Sequence, residues 1–255
     1  MNLYDVHTHI QDIRLLILRD DVIKRSLEAG VTGIMCCGTH EGDWDGVVEM
    51  VEKYESVRAS FGIHPWFISD RNNDWLERLE ARLNVYPTAG VGEIGLDRMI
   101  QHRNDKDQEM VFVEQLKLSQ KLQRPVSLHC RKAWGVMPDI IKQNGGLPFG
   151  GVVHSWSGSC EMVNVFEKLG AYISFSGSVT RANNKKAHNA CRAVSRDRLL
   201  IETDSPDILP DGIDADLNEP AFVMKVLETV AWLRGENVTD VAEYTWENAL
   251  KLFGK

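Results

Sequence analysis

Tyr4-Asp5-Val6-His7-Thr8-His9-Ile10 is the stretch on which the reading of this chain turns. Leu3, Tyr4 and Val6 predict a short, mostly apolar strand that runs directly into two histidines. Residues two apart in a strand point the same way, so His7 and His9 project together from its C-terminal end. Two imidazoles on one face offer two nitrogen donors to a single metal ion. Taken alone, the pair equally fits histidines that merely cap a strand. The rest of the chain decides between these readings.

Outward from that strand, apolar runs alternate with amphipathic stretches. The predicted strands are Leu3–Val6, Val31–Cys37, Val57–Ile63, Thr88–Ile94, Pro125–His129, Gly151–His154, Ala171–Phe175 and Leu199–Glu202. Most show little polar alternation, as parallel strands covered on both faces do. Helical patterns lie between them, around Asp21–Ala29, Trp44–Lys53, Asp74–Asn84, Gln108–Leu122, Ala133–Gln143, Glu161–Leu169 and Lys185–Val194. Two more, around Pro220–Leu233 and Val241–Phe253, follow the last strand; in the second, Ala242, Trp246, Ala249 and Phe253 recur at helical spacing and should pack on the core. Eight strands alternating with helices predict a (β/α)8 TIM barrel over residues 1–255 as one domain, with a doubly wound open sheet as the competitor.

A barrel requires its active residues at the C-terminal ends of strands. Six of the eight predicted ends comply: His7/His9, Gly62-Ile63-His64-Pro65, Gly92-Glu93-Ile94-Gly95-Leu96-Asp97, His129-Cys130-Arg131, His154-Ser155-Trp156-Ser157-Gly158 and Glu202-Thr203-Asp204-Ser205-Pro206. From these, His7, His9, Glu93, His129, His154 and Asp204 supply four imidazoles and two carboxylates. A single catalytic zinc uses three protein ligands and a water, so this set is too large for one ion. It suits two divalent ions: His7, His9 and Asp204 on one, His129 and His154 on the other, and Glu93 bridging. Such a pair, about 3.5–4 Å apart, acidifies a water and neutralises an oxyanion. Asp204 is the best-placed general base. Imidazoles favour zinc, whereas phosphoryl chemistry often uses magnesium or manganese, so the ligands leave Zn, Mg and Mn open.

In these motifs, together with Pro125-Val126-Ser127-Leu128-His129-Cys130-Arg131, Asn218-Glu219-Pro220 and Asn248, the chain resembles the TatD family of metal-dependent nucleases, within the amidohydrolase-like barrels. The match covers almost the whole length. It implies a metal-dependent hydrolase acting on DNA or another phosphodiester, a deoxyribonuclease with exonuclease character. Asn218 resembles the family's substrate-side asparagine, though a turn role also fits. His64 matches a histidine expected to hydrogen-bond phosphate in its protonated form; alternatively it fixes the turn at Pro65. Arg131, two beyond His129, would face the same mouth and grip a phosphate oxygen, unless it is a surface arginine starting a helix. Trp156, two beyond His154, would stack on a base or simply pack. Where the family usually has basic residues before Asn218, this chain has Asp207, Asp211, Asp214 and Asp216, which would repel a long polyanion. Short oligonucleotides, DNA ends or a smaller phosphoester suit it better. A lactone or amide substrate at the same centre is the alternative.

The net charge of −8 argues against broad nonspecific attraction to nucleic acid but permits a local site carrying its own metal charge. No apolar run is long enough for a membrane span, and Asp5 and His7 stand where an export signal needs an apolar core. Five cysteines without paired spacing read as reduced thiols, hence a cytoplasmic protein, with a monomer as the default. His40, His102 and His188 match no motif and are expected in solvent. Cys130 is expected in the core, Trp66 and Trp134 in core or rim packing, and Glu202 in a supporting role.

Overall fold

The opening stretch forms β1 (Leu3–Thr8), buried at every residue, as a strand covered on both faces must be. Seven strands follow: β2 (Val31–Cys37), β3 (Val57–Phe61), β4 (Gly90–Asp97), β5 (Val126–Arg131), β6 (Gly151–Val153), β7 (Ala171–Phe175) and β8 (Leu199–Ile201). They pair in chain order, all in parallel. The ring closes just beyond β8, where Thr8 bridges to Ser205. There the His9 N–H donates to the Ser205 carbonyl (2.7 Å) and the Asp204 N–H to that of His7 (3.0 Å). This computed structural model, which describes residues 1–101 and 104–254, therefore has the (β/α)8 barrel and not the open doubly wound sheet, whose strand order reverses at a switch point. His102 lies outside the described residues.

The layer around the ring comprises α1 (Arg19–Glu28), α2 (Trp44–Lys53), α3 (Trp75–Val85), α4 (Asp105–Leu122), α5 (Met137–Gln143), α6 (Cys160–Lys168), α7 (Lys185–Ala193), α8 (Val223–Arg234) and α9 (Val238–Phe253). Their apolar stripes face the strands; α2, for instance, buries Trp44, Val47 and Met50, one turn apart. A second cluster joins Tyr4, Met35, Val152, Tyr172 and Leu200 to Ala249, Leu252 and Phe253 of α9. The cluster runs over five consecutive strands of the closed ring, from β6 through β8 and β1 to β2, and Cys37, a further member, meets His7 and Ser127 inside it. The barrel is thus filled from below and capped there by α9, which leaves the opposite rim for the polar strand ends. Among the described residues no helix is long and apolar enough to cross a membrane.

Three local departures from the sequence expectation bear on the site. β4 runs on to Asp97. Gly95 makes this possible: at φ +147° it passes so close to β5 that a Cβ would sit 2.0 Å from the His129 carbonyl oxygen. α5 begins at Met137, not Ala133, with Pro138 in its first turn, where a missing N–H is harmless. Pro65–Asp70 forms an unanticipated 3-10 segment, capped by His64 through a hydrogen bond from the Trp66 N–H to Nδ1 (3.1 Å).

Candidate metal centre

Glu93, on β4, is buried at the centre of the rim. Its two oxygens face different partners. Oε2 lies 3.4 Å from Nε2 of His7 and 3.4 Å from Nε2 of His9. Asp204 Oδ1 completes that side, 3.8 and 3.7 Å from the same two nitrogens. Oε1 lies 2.8 Å from His154 Nε2 and 2.9 Å from His129 Nδ1. Within each pair the facing ring nitrogens are close, 3.3 Å for His7 and His9 and 3.2 Å for His129 and His154. Among the described residues, three groups have donor atoms all within 4.8 Å of one another and could hold a metal ion: His7/His9/Asp204, His7/Glu93/His154 and His64/Glu93/His129.

The far side of each ring sets which nitrogen faces inward. His9 Nδ1 donates to the Cys37 carbonyl (2.8 Å), and His7 Nδ1 meets the Ser127 hydroxyl (2.9 Å) across the barrel. His129 Nε2 meets Asp97 Oδ2 (3.2 Å), and His154 Nδ1 lies 3.5 Å from Glu202 Oε1. An oxygen thus stands behind each ring, hydrogen-bonded for all but His154, whose Nδ1 has no hydrogen-bond partner, and the inner nitrogens face the cluster as those of a metal-ligating histidine must. His64 is the exception. Its Nδ1 accepts from the Trp66 N–H, so its proton sits on Nε2, 3.4 Å from Glu93 Oε1. It is a donor here, not a ligand. The donor set therefore fits divalent cations on both sides of Glu93, with nitrogen and carboxylate oxygen on each.

Electrostatics agree with this geometry. Burial would raise the Glu93 carboxyl, but His64, His154 and His7 around it hold it well below the usual range. Burial opposes charge on His9, yet Glu93 and Asp204 overcome it and lift the ring to about 9. His154 is likewise raised against its burial, by Glu93 and Glu202. Asp97 is pulled to about 2 despite burial by the donors around it, chiefly His129 and Trp66. Burial pushes His64 down to about 4, so this ring is neutral. The protonated His64 expected from the sequence is not found; the neutral ring carries its proton on Nε2.

The backbone turns sharply where the strands deliver these groups. Asp204 itself has φ +61°, Ser155 after His154 has +42°, and Lys132 after Arg131 has +57°. Non-glycine residues in this region are strained, and such strain gathers at functional sites.

The structure places the other predicted site residues unevenly. Arg131 lines the mouth, its side chain half exposed and Nη1 4.0 Å from Asp97 Oδ2. Trp156 does not: it is 1% exposed, packed between Trp134 (4.6 Å) and Phe166 (5.5 Å). The positive φ at Ser155 breaks the strand alternation that would have aimed Trp156 at the mouth, so the expected base stacking is replaced by core packing. Asn218 is fully buried, and its Nδ2 donates to the carbonyls of Thr203 (2.9 Å), Asp207 (2.7 Å) and Ile208 (3.2 Å). Its Oδ1 accepts from the Glu219 N–H (3.0 Å). Fully buried, it braces the loop after Asp204, with both Nδ2 protons spent there. His188 is buried, Nε2 against the Val179 carbonyl (3.0 Å), and not in solvent. His40, part-exposed, stacks on Phe67 (4.4 Å).

Two residues that matter, Asp97 and Ser127, have no role in the sequence expectation. Asp97 stood within a quoted motif, and its strand-end position was the available signal. Trp66, expected in core or rim packing, stands at the rim: it is 54% exposed, and its Nε1 donates to Asp97 Oδ2 (2.7 Å). The acidic segment is also less forbidding than its composition. Of its four aspartates only Asp207 lines the mouth, in a bidentate pair with Arg14 (2.9 and 2.8 Å). Trp66, Arg131, Arg14 and Asp207 line one cavity of about 850 Å³ together with His9, Glu93 and Asp204.

The family model described as TatD related DNase matches residues 4–254. The uncharacterized metal-dependent hydrolase YabD of Bacillus subtilis (strain 168) is 32% identical over 254 residues, 98% of each chain. The 3'-5' ssDNA/RNA exonuclease TatD of Citrobacter koseri is 28% identical over 257 residues, 99% of each. Among solved structures, that of YjjV, a TatD homologue from Escherichia coli K12, superposes with a TM-score of 0.95 at 29% identity, covering 99% of this chain and 98% of that one. With its barrel, its histidine-carboxylate clusters and its full-length match, this chain belongs to the TatD-related DNase family of metal-dependent hydrolases.

Proposed function

We propose that the chain acts, as one domain, as a dinuclear phosphodiesterase, a deoxyribonuclease of exonuclease character on DNA ends or short oligonucleotides. The observation that carries the reading is the division of Glu93: Oε2 toward His7, His9 and Asp204, and Oε1 toward His129 and His154. Those six residues would hold two divalent cations, Zn, Mg or Mn. When bound, such a pair supplies Lewis-acid polarisation of a phosphoryl oxygen and makes a water more acidic. Asp204 would take the proton from the attacking water. Arg131 would hold a phosphate oxygen through its fork of N–H donors, and neutral His64 would offer Nε2–H to another. The half-exposed guanidinium at the mouth favours a phosphate over a lactone or amide, and a relative named as an ssDNA/RNA exonuclease supports a nucleic acid.

The test is a labelled oligonucleotide assayed beside a panel of small phosphoesters, lactones and amides, after chelation and reloading with each metal. Metal-restored cleavage of the oligonucleotide is expected. Turnover of lactone or amide alone would overturn the assignment.

A further inference from the structure

We infer that Trp66 and Arg131 form one recognition unit, in which the indole takes the face of a nucleobase while the guanidinium takes its phosphate, so that the site selects a phosphate flanked by a planar ring. The inference rests on the phosphodiesterase reading and narrows its substrate class.

The two side chains come from separate strand ends but meet on one atom. Asp97 Oδ2 accepts the Trp66 Nε1–H at 2.7 Å and lies 4.0 Å from Arg131 Nη1. The two nitrogens are therefore no farther apart than those distances laid end to end, close enough to contact one nucleotide unit. Trp66 is also held more firmly than an ordinary surface tryptophan. Its backbone N–H is tied to His64 Nδ1 (3.1 Å), its ring edge to Asp97, and it meets the His64 ring edge-on at 5.1 Å and 88°. A large aromatic that is 54% exposed yet fixed at three points loses little freedom when a base stacks on it. Nothing in the catalytic proposal requires an indole at this position. Trp156, the tryptophan expected to stack, is buried away from the cavity.

The test compares kcat/KM for thymidylyl-thymidine and for the same dinucleotide with an abasic tetrahydrofuran in place of one base, in the metal-loaded protein and its Trp66→Ala and Trp66→Phe variants. Wild type should prefer the dinucleotide bearing both bases. Trp66→Ala should reduce that preference about 10-fold, mainly through KM, and Trp66→Phe should retain most of it. A binding readout accompanies the kinetics: thymidine monophosphate should quench tryptophan emission in the metal-free wild type and not in Trp66→Phe. Equal cutting of both dinucleotides by wild type would overturn the inference and leave the phosphodiesterase reading intact; failure to cut either would overturn that reading first. Equal loss of preference in Trp66→Phe and Trp66→Ala would also overturn it, by tracing the effect to the Asp97 hydrogen bond and not to the ring face.

Discussion

The two sides of the Glu93 carboxylate are built differently. On the Oε2 side, His7 lies on β1 and His9 just past its end, two residues apart, beside an irregularity in the β1–β2 register. Their outer nitrogens rest on neutral acceptors, the Ser127 hydroxyl and the Cys37 carbonyl. On the Oε1 side, His129 and His154 stand at the ends of two neighbouring paired strands, where the His154 N–H donates to the Leu128 carbonyl (3.1 Å). Each is backed by a carboxylate, Asp97 or Glu202. The backbone sets the spacing on both sides; what differs is the backing, neutral behind His7 and His9 and charged behind His129 and His154. A carboxylate behind an imidazole also makes it more basic and a stronger ligand. The two sides are therefore expected to differ in how much they depend on their supporting residues.

The largest effect should come from the atom pair the two sides share. Glu93→Gln should abolish stable metal loading on both sides and lower kcat/KM by roughly three orders of magnitude or more; elemental analysis and kinetics on the same sample check this. Loss confined to one ion would break the comparison at its centre. Asp204→Asn removes the proposed base from one side only and should lower kcat by about 10²–10⁴-fold, measured with saturating metal. Asp97→Asn and Ser127→Ala sharpen the contrast directly. The first should weaken metal binding or activity by about 10- to 100-fold. The second removes one neutral hydrogen bond and should cost about fivefold. Equal effects would mean that carboxylate backing confers nothing special.

The pH dependence has a definite sign. His9 in the metal-free protein is raised to about 9, so its proton favours that fold fully below about 6.5, and the contribution fades as pH rises through about 9. Metal needs the unprotonated ring. Loading should therefore strengthen over the same interval, by at most about tenfold per pH unit for this one proton. Titration calorimetry in buffers of different ionisation enthalpy reads the released proton directly.

The same contrast explains what could be read in the sequence. His7 and His9 were legible because period two is a property of any strand. The barrel was legible because eight apolar runs without alternation allow few other architectures. Asp97 could not be assigned from its spacing, since β4 reaches it only through the close approach at Gly95. Trp156 misled because spacing of two means the same face only while the strand continues, and β6 stops at Val153, with Ser155 then turning to φ +42°. The role of Asn218 depends on three carbonyls brought to it by the loop after Asp204, and no local pattern announces them. The acidic segment read as repulsive because the Arg14–Asp207 pair spans most of the chain.

Anomalous diffraction from crystals grown with manganese or zinc tests the central claim most directly. Two peaks are predicted per chain, one among His7, His9, Asp204 and Glu93 Oε2, the other among His129, His154 and Glu93 Oε1. A single peak, or two peaks that do not share Glu93, would contradict it.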